Sequence, residues 1–249
     1  VLRAARFAGE FPDFQVHPEL IRVMTLIGRE GLLAEIASER VGSEVMKACA
    51  ASSPGRFLRL LFGTGTLDPW FHEFTGAGEI PAGPSPYHEQ SLLEHTAQVM
   101  DSLAGSPLKV WMGFCHDIGK ASSPSELLPK HHGHDERGEA MAEKLGRRLR
   151  LPLKFIRAGA ISAGKHMVAA RYEDLRPGTK VRLLTMLRRA GIASDLFEVV
   201  MADRGKNYLE EVRKDTIRIL EARLPEGAQG KGPASGEALF QLQCQHLKG

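Results

Sequence analysis

The residues with the most chemistry in them fall between positions 95 and 166. Phe114-Cys115-His116-Asp117-Ile118-Gly119-Lys120 carries an apolar run, Val110 to Phe114, straight into His-Asp and a Gly-Lys turn. An imidazole beside a carboxylate offers two hard-to-borderline metal ligands on adjacent residues. Burying such a pair with neither a metal nor a partner is costly. Six of the ten histidines lie in this window: His95, His116, His131, His132, His134 and His166. A divalent ion held by such residues lowers the pKa of water and polarises a phosphoryl oxygen. Asp117 is also placed to accept a proton or to bridge two metals. Lys120, one turn beyond His116, is expected to offset charge on a phosphate oxygen. His134 and His166 are expected to complete a second metal site or to contact substrate. His131 and His132, in a Pro- and Gly-containing loop, read at least as well as surface residues. Cys115, inside the apolar run, reads as a small core residue.

These side chains need helices to carry them, and the spacing supplies helices. Leu92, His95, Thr96, Val99 and Leu103 form one stripe, so 92–103 is expected to be helical. Lys109 to His116 reads as a buried helix. Met141, Leu145 and Leu149, four apart among charges, predict a helix over 135–149. Pro152 starts another that ends near His166. Val181 to Leu187, Leu196 to Met201 and 208–223 are three more, and a short one is expected around Leu239. Upstream, Leu2, Ala5, Phe7 and Phe11 share a face. Pro18 suits the first turn of a second helix, and Gly28 is a candidate stop. Ser38 is a candidate cap for a third helix through Val41, Val45 and Met46. Arg56 to Phe62 form a fourth. No alternating strand pattern and no repeat occur, so the fold class is all-α. The Pro/Gly-rich stretch 76–86 is the expected linker and domain boundary.

A formal charge of +3 on 249 residues confines any nucleic-acid surface to a local patch. Three scattered cysteines without CxxC argue against a zinc knuckle or a disulfide framework. Free thiols suit a cytoplasmic protein, and no apolar run reaches the length of a membrane span. The basic runs Lys144, Arg147, Arg148, Arg150 and Lys180, Arg182, Arg188, Arg189 usually mean solvated faces, with an RNA backbone as the other reading. Trp70, Phe71 and Phe74 read as core ahead of base-stacking residues. The chain lacks an initiator Met and opens inside a helical pattern, so it is expected to be a piece of something longer.

The set His95, His116-Asp117 and Asp203 resembles the signature of the HD phosphohydrolase superfamily. That resemblance implies one divalent metal held by these four residues in a helical bundle, with Asp203 matching the family's final Asp by context. A wider resemblance extends over residues 1 to about 225. Val1 to Ala8, Ser38-Glu39-Arg40-Val41-Gly42-Ser43-Glu44, Phe57 to Leu61, Leu67-Asp68, His88, Leu93-Glu94-His95-Thr96 and His131-His132-Gly133-His134 are similar to bacterial class II tRNA nucleotidyltransferases and poly(A) polymerases. The resemblance implies that Glu39, Arg40 and Glu44 brace the nucleotide-selecting helix, and that Arg3 and Arg6 lie on the helix that follows the selecting motif. The family's catalytic head, with its Asp-x-Asp pair, has no counterpart here. His166-Met167 departs from relatives with His-Asp, so no second carboxylate stands there.

The resulting expectation has three parts: neck and body helices of RNA-binding type over 1–80, an HD domain over 86–206, and a C-terminal helix and tail over 207–249. The metal ligands are expected to be His95, His116, Asp117, Asp203, His134 and His166, with Asp117, Lys120 and His134 catalytic and Arg3 and Arg6 meeting RNA. The cofactor is a divalent ion (Mg, Mn, Ni or Co). The expected reaction is hydrolysis of phosphate esters at RNA 3′ ends, in 2′,3′-cyclic phosphates or in nucleotides. The expected partners are RNA, above all tRNA, and a second copy of the chain, but no membrane. The alternative is a non-catalytic RNA-binding body serving a separate nucleotidyltransferase head.

Overall fold

The computed structural model describes residues 1–85, 90–224 and 233–248. Twelve α-helices occupy them: α1 (Leu2–Glu10), α2 (Pro18–Arg29), α3 (Ser38–Cys49), α4 (Gly55–Gly63), α5 (Leu92–Ser102), α6 (Pro107–Cys115), α7 (His134–Arg148), α8 (Leu153–Ala169), α9 (Pro177–Ala190), α10 (Ala193–Arg204), α11 (Leu209–Glu221) and α12 (Pro233–His246). Among the described residues the one β-pairing is an isolated antiparallel bridge between Pro81 and Ser91. The all-α expectation therefore holds. No helix among these residues is long and apolar enough to cross a membrane.

The chain divides into two compact units, Val1–His166 and Met167–Gly249. The Pro/Gly stretch 76–86, expected as a domain boundary, is instead a connection within the first unit; its residue 86 and the neighbouring His88 lie outside the described residues. Helices on its two sides pack together. Arg59 of α4 donates to Glu94 at 2.7 and 2.8 Å and to Asp101 at 2.7 Å, both on α5. The Gly55 N–H donates to Asp101 at 2.7 Å. Prolines and glycines broke the helical period there without breaking the packing.

The core of the first unit is α6. Val110, Trp111, Met112, Gly113, Phe114 and Cys115 are all buried, as a helix apolar all round requires. Phe71 and Phe74 pack edge-on and tilted against Phe114, with centroids 6.2 and 4.8 Å away, so these aromatics are core. Two hydrogen bonds lash α8 to α6: Trp111 Nε1–H to the Phe155 carbonyl at 2.8 Å, and Ser162 Oγ–H to the Met112 carbonyl at 2.9 Å. Several ends differ from the sequence expectation. Ala37 rather than Ser38 caps α3, because the Ser38 hydroxyl turns to Glu39 at 3.2 Å. Helix α2 continues one residue past Gly28.

In the second unit, Tyr172 donates its hydroxyl to the buried Asp215 at 2.9 Å. Lys180 of α9 reaches Glu211 and Asp215 of α11 at 2.7 and 3.4 Å. The helix expected around Leu239 is α12, fourteen residues long.

One close approach fixes the first unit's chemistry. The turn Ile118–Ser122 lies against α7 with Gly119 facing Gly138. A Cβ on Gly119 would run into the His134 carbonyl oxygen and stand 2.6 Å from the Gly138 nitrogen. Both obstacles are backbone, so neither can swing aside. Gly119→Ala is expected to destabilise the chain by about 1–3 kcal/mol, the usual cost of overpacking, measured by urea unfolding. A neutral result would show that α7 is not held against this turn.

Candidate metal centre

Four helices of the first unit deliver six side chains to one place. Ser91 caps α5, its Oγ accepting from the Glu94 N–H at 3.3 Å, which puts His95 in the second turn. His116 is the C-cap of α6, and Asp117 follows it into the turn that carries Lys120. Gly133 takes the left-handed conformation (φ 73°) and lets α7 begin at His134. His166 comes from α8. None of the six is more than 5% exposed, so bulk water cannot satisfy them.

Asp117 is the hub. Its Oδ2 lies 2.6 Å from Lys120 Nζ, 3.2 Å from His116 Nε2 and 3.4 Å from His95 Nε2. Its Oδ1 lies 3.3 Å from His134 Nε2 and 3.4 Å from His166 Nε2. Burial alone would push this carboxyl up. The Lys120 ammonium, and after it His116, outweigh burial and hold it well below the usual carboxylate range. Lys120 also donates to the Ala82 carbonyl at 2.6 Å.

Backbone carbonyls settle the histidine tautomers. A carbonyl can only accept, so a ring nitrogen bonded to one must carry the proton. His116 Nδ1–H donates to Gly113 O at 2.6 Å, and His134 Nδ1–H to His131 O at 3.0 Å. His166 Nδ1–H donates to Ser162 O and Ala163 O at 3.0 and 3.1 Å. In the neutral rings each Nε2 then presents a lone pair inward. His134 Nε2 and His166 Nε2 stand 3.4 Å apart, and both face Asp117 Oδ1, which is buried without a hydrogen-bond partner. Three potential ligand atoms thus converge. A proton on one ring would relieve one pair; a metal ion relieves all three at once. His95, His116 and Asp117 form a second group of the same kind, and in each group the three ligand atoms lie within 4.8 Å of one another. Imidazole nitrogen with carboxylate oxygen is a donor set that suits Mn, Fe, Co, Ni or Zn, and backbone bonds behind each imidazole are the usual orienting contacts of metal-bound histidine.

Asp203 sits in α10 of the second unit, its side chain 3% exposed and 3.1 Å from Arg204 Nε. His131, buried and left-handed (φ 54°), ties the Pro81 carbonyl at 2.7 Å to the Ser123 hydroxyl at 2.9 Å. Arg6 is buried and gives its guanidinium to Glu44, at 2.8 Å, and to Glu10. It is a brace between α1 and α3, which corrects its reading as an RNA contact. Glu44 is its partner on α3, whereas Glu39 and Arg40 are exposed. Arg3 is exposed, its guanidinium 5.7 Å from the Phe7 ring. The first basic run is largely spent on structure: Arg148 holds Glu73 and the Trp70 carbonyl, and Arg147 holds Glu143. The sequence reading missed the Ala82, Gly113, Ser162 and Ala163 carbonyls, which leave no mark in residue type. It also missed Gly138, whose signal was its place as the small residue opposite the Gly-Lys turn.

No protein-family model matches the chain. It is 34% identical over 266 residues to the Multifunctional CCA protein of Nitrosococcus oceani, covering 100% of this chain and 65% of that protein. It is 32% identical over 258 residues to the protein of the same name from Chromobacterium violaceum, covering 96% of this chain and 63% of that protein. Against the one from Laribacter hongkongensis it is 33% identical over 209 residues, 82% of this chain and 51% of that protein. The chain thus spans about half to two thirds of the length of these curated relatives.

Removing the lysine isolates its share in holding Asp117. Lys120→Met leaves a buried carboxylate without its closest cation, a loss of about 3–5 kcal/mol in metal-free buffer. Adding Mn²⁺ or Ni²⁺ is expected to restore part of it, because the ion supplies the missing positive charge. Urea unfolding with and without the ion reads this. A deficit that divalent ions leave untouched would mean that Lys120 serves only to hold the Ala82 segment.

Proposed function

The chain belongs to the Multifunctional CCA protein family, and we propose that the part it represents is a metal-dependent phosphohydrolase of the HD type joined to helices that hold RNA. The observation that carries this reading is the inward convergence of His134 Nε2, His166 Nε2 and Asp117 Oδ1, three ligand atoms 3.3–3.4 Å from one another in a buried place. His95 and His116 stand on the other oxygen of the same carboxylate. Asp117 would therefore offer one oxygen to each group of potential ligands. A divalent ion bound there supplies Lewis acidity toward a phosphoryl oxygen and acidifies water.

The protein's own residues have separable tasks. The backbone carbonyls of Gly113, His131, Ser162 and Ala163 hold three imidazoles with Nε2 pointing in. Against its burial, the Lys120 ammonium beside it holds the Asp117 carboxyl well below the usual carboxylate range. Two of the three Lys120 protons go to Asp117 and Ala82, so Lys120 acts on substrate through Asp117, in place of the direct phosphate contact expected from the sequence. His134 would act through the ion it helps hold, its Nε2 being a ligand and its Nδ1 proton committed to the His131 carbonyl. Asp203 remains in the proposal as a further ligand on the sequence resemblance alone.

The proposed substrates are phosphate esters: RNA 3′ ends, 2′,3′-cyclic phosphates or nucleotides. The proposed partner is tRNA, with Arg3 as a contact, and the proposed compartment is the cytoplasm. Nucleotide addition belongs to the whole protein and is proposed only with a nucleotidyltransferase head supplied.

The test is turnover by the full chain with Mg²⁺, Mn²⁺, Ni²⁺ or Co²⁺. Ring opening of 2′,3′-cyclic AMP or phosphate release from a 3′-phosphorylated RNA is expected. His116→Ala is expected to lose roughly 100-fold or more, beyond the 10–100-fold typical of an outer partner. Metal-loaded protein that neither opens the ring nor releases phosphate from any of these esters would contradict the proposal.

A further inference from the structure

The second unit holds a cavity of about 520 Å³ between α9, α11 and α12, within the size range of small-ligand pockets. Its two long walls are helix faces in register. On α9, Arg182, Thr185, Met186 and Arg189 follow the i, i+3, i+4, i+7 pattern of one face, with Arg188 beside it. On α12, Gly236, Leu239, Phe240 and Gln243 repeat the same spacing. Ile219 and Leu220 of α11 close the floor. Among the described residues no Asp or Glu lines this cavity.

Three arginines line it. Arg188 and Arg189 are exposed and make no hydrogen bond or ion pair with any described residue, and Arg182 only lies over the Phe240 ring at 4.8 Å. On the same helix Lys180, by contrast, is committed to Glu211 and Asp215. Three guanidiniums around one cavity, with an apolar floor and no carboxylate among the described residues lining it, form a positive field in a concave site. A guanidinium fork matches phosphate oxygens two at a time. A single carboxylate would use one of the three, whereas a nucleoside phosphate engages several and lays its base on Leu239, Leu220 and Met186. The Thr185 hydroxyl is at hand for a polar edge of the ligand.

We propose that the α9–α12 cavity is a nucleotide-binding site, separate from the Asp117 centre, with Arg182, Arg188 and Arg189 on the phosphates and the apolar floor under the base. The ligand chemistry is a nucleoside 5′-phosphate, free or as a unit of an RNA strand. The proposal does not depend on the metal reading.

The experiment is isothermal titration of the full chain in EDTA, which keeps metal out of the Asp117 centre. The probes are ATP, a 5′-phosphorylated tri-adenylate and inorganic pyrophosphate. The variants are Arg188→Gln with Arg189→Gln, both exposed, and Asp117→Ala as the control for the other site. ATP is expected to bind wild type and Asp117→Ala alike, and at least tenfold more weakly to the arginine double variant. Tri-adenylate binding at least tenfold tighter than ATP assigns the site to a strand; equal or weaker binding assigns it to free nucleotide; both support the proposal. Pyrophosphate matching ATP would overturn it, since the floor would then contribute nothing. No binding by wild type, or binding unchanged by the double variant, would overturn it as well.

Discussion

A fully buried carboxylate is the condition that the first unit must meet. Asp117 is 1% exposed, and an ionised carboxylate in such a place is costly unless its neighbours compensate it. Lys120 supplies one positive charge, and four imidazole nitrogens approach the two oxygens. The four imidazoles come from four different stretches of chain, so α5, α6, α7 and α8 must meet around one residue. Everything that brings them together, from the cap at Ser91 to the left-handed Gly133, serves that meeting.

Metal chemistry at this centre depends on where the imidazole protons sit, and backbone bonds decide that. The Nδ1 protons of His116, His134 and His166 are committed to carbonyls within one turn of their own chain. Local helix geometry therefore aims Nε2 inward without help from another side chain. The close approach of Gly119 to Gly138 then brings the start of α7, and His134 with it, to Asp117. Side-chain chemistry comes from the histidines and their orientation from the main chain.

Much of this was legible in the residue types. The His-Asp pair at the end of an apolar run, His95 on its stripe and His134 and His166 downstream were all expected to meet, and five of the expected ligands share the centre in the first unit. The all-α class followed from the absence of alternation. Three things escaped for physical reasons. The boundary at 76–86 was inferred from Pro and Gly, which mark where a helix cannot continue but say nothing about packing across the break. Arg6 carried the same charge pattern as Arg3; only the approach of α3, bringing Glu44, separates a buried brace from an exposed cation. Lys120 was placed on phosphate because its spacing from His116 is right, yet the Ala82 carbonyl, invisible in sequence, takes one of its protons.

Membership of the Multifunctional CCA protein family gives the centre a setting, and the account stands on whether the centre holds metal. The most direct measurement is elemental analysis of the purified full chain beside Asp117→Ala, after dialysis against trace divalent ions. The account predicts at least one equivalent of divalent metal in wild type and essentially none in the variant. Wild-type protein that stays metal-free and takes up none of the added ions would contradict it, leaving the buried cluster as a structural network of histidines around a lysine–aspartate pair.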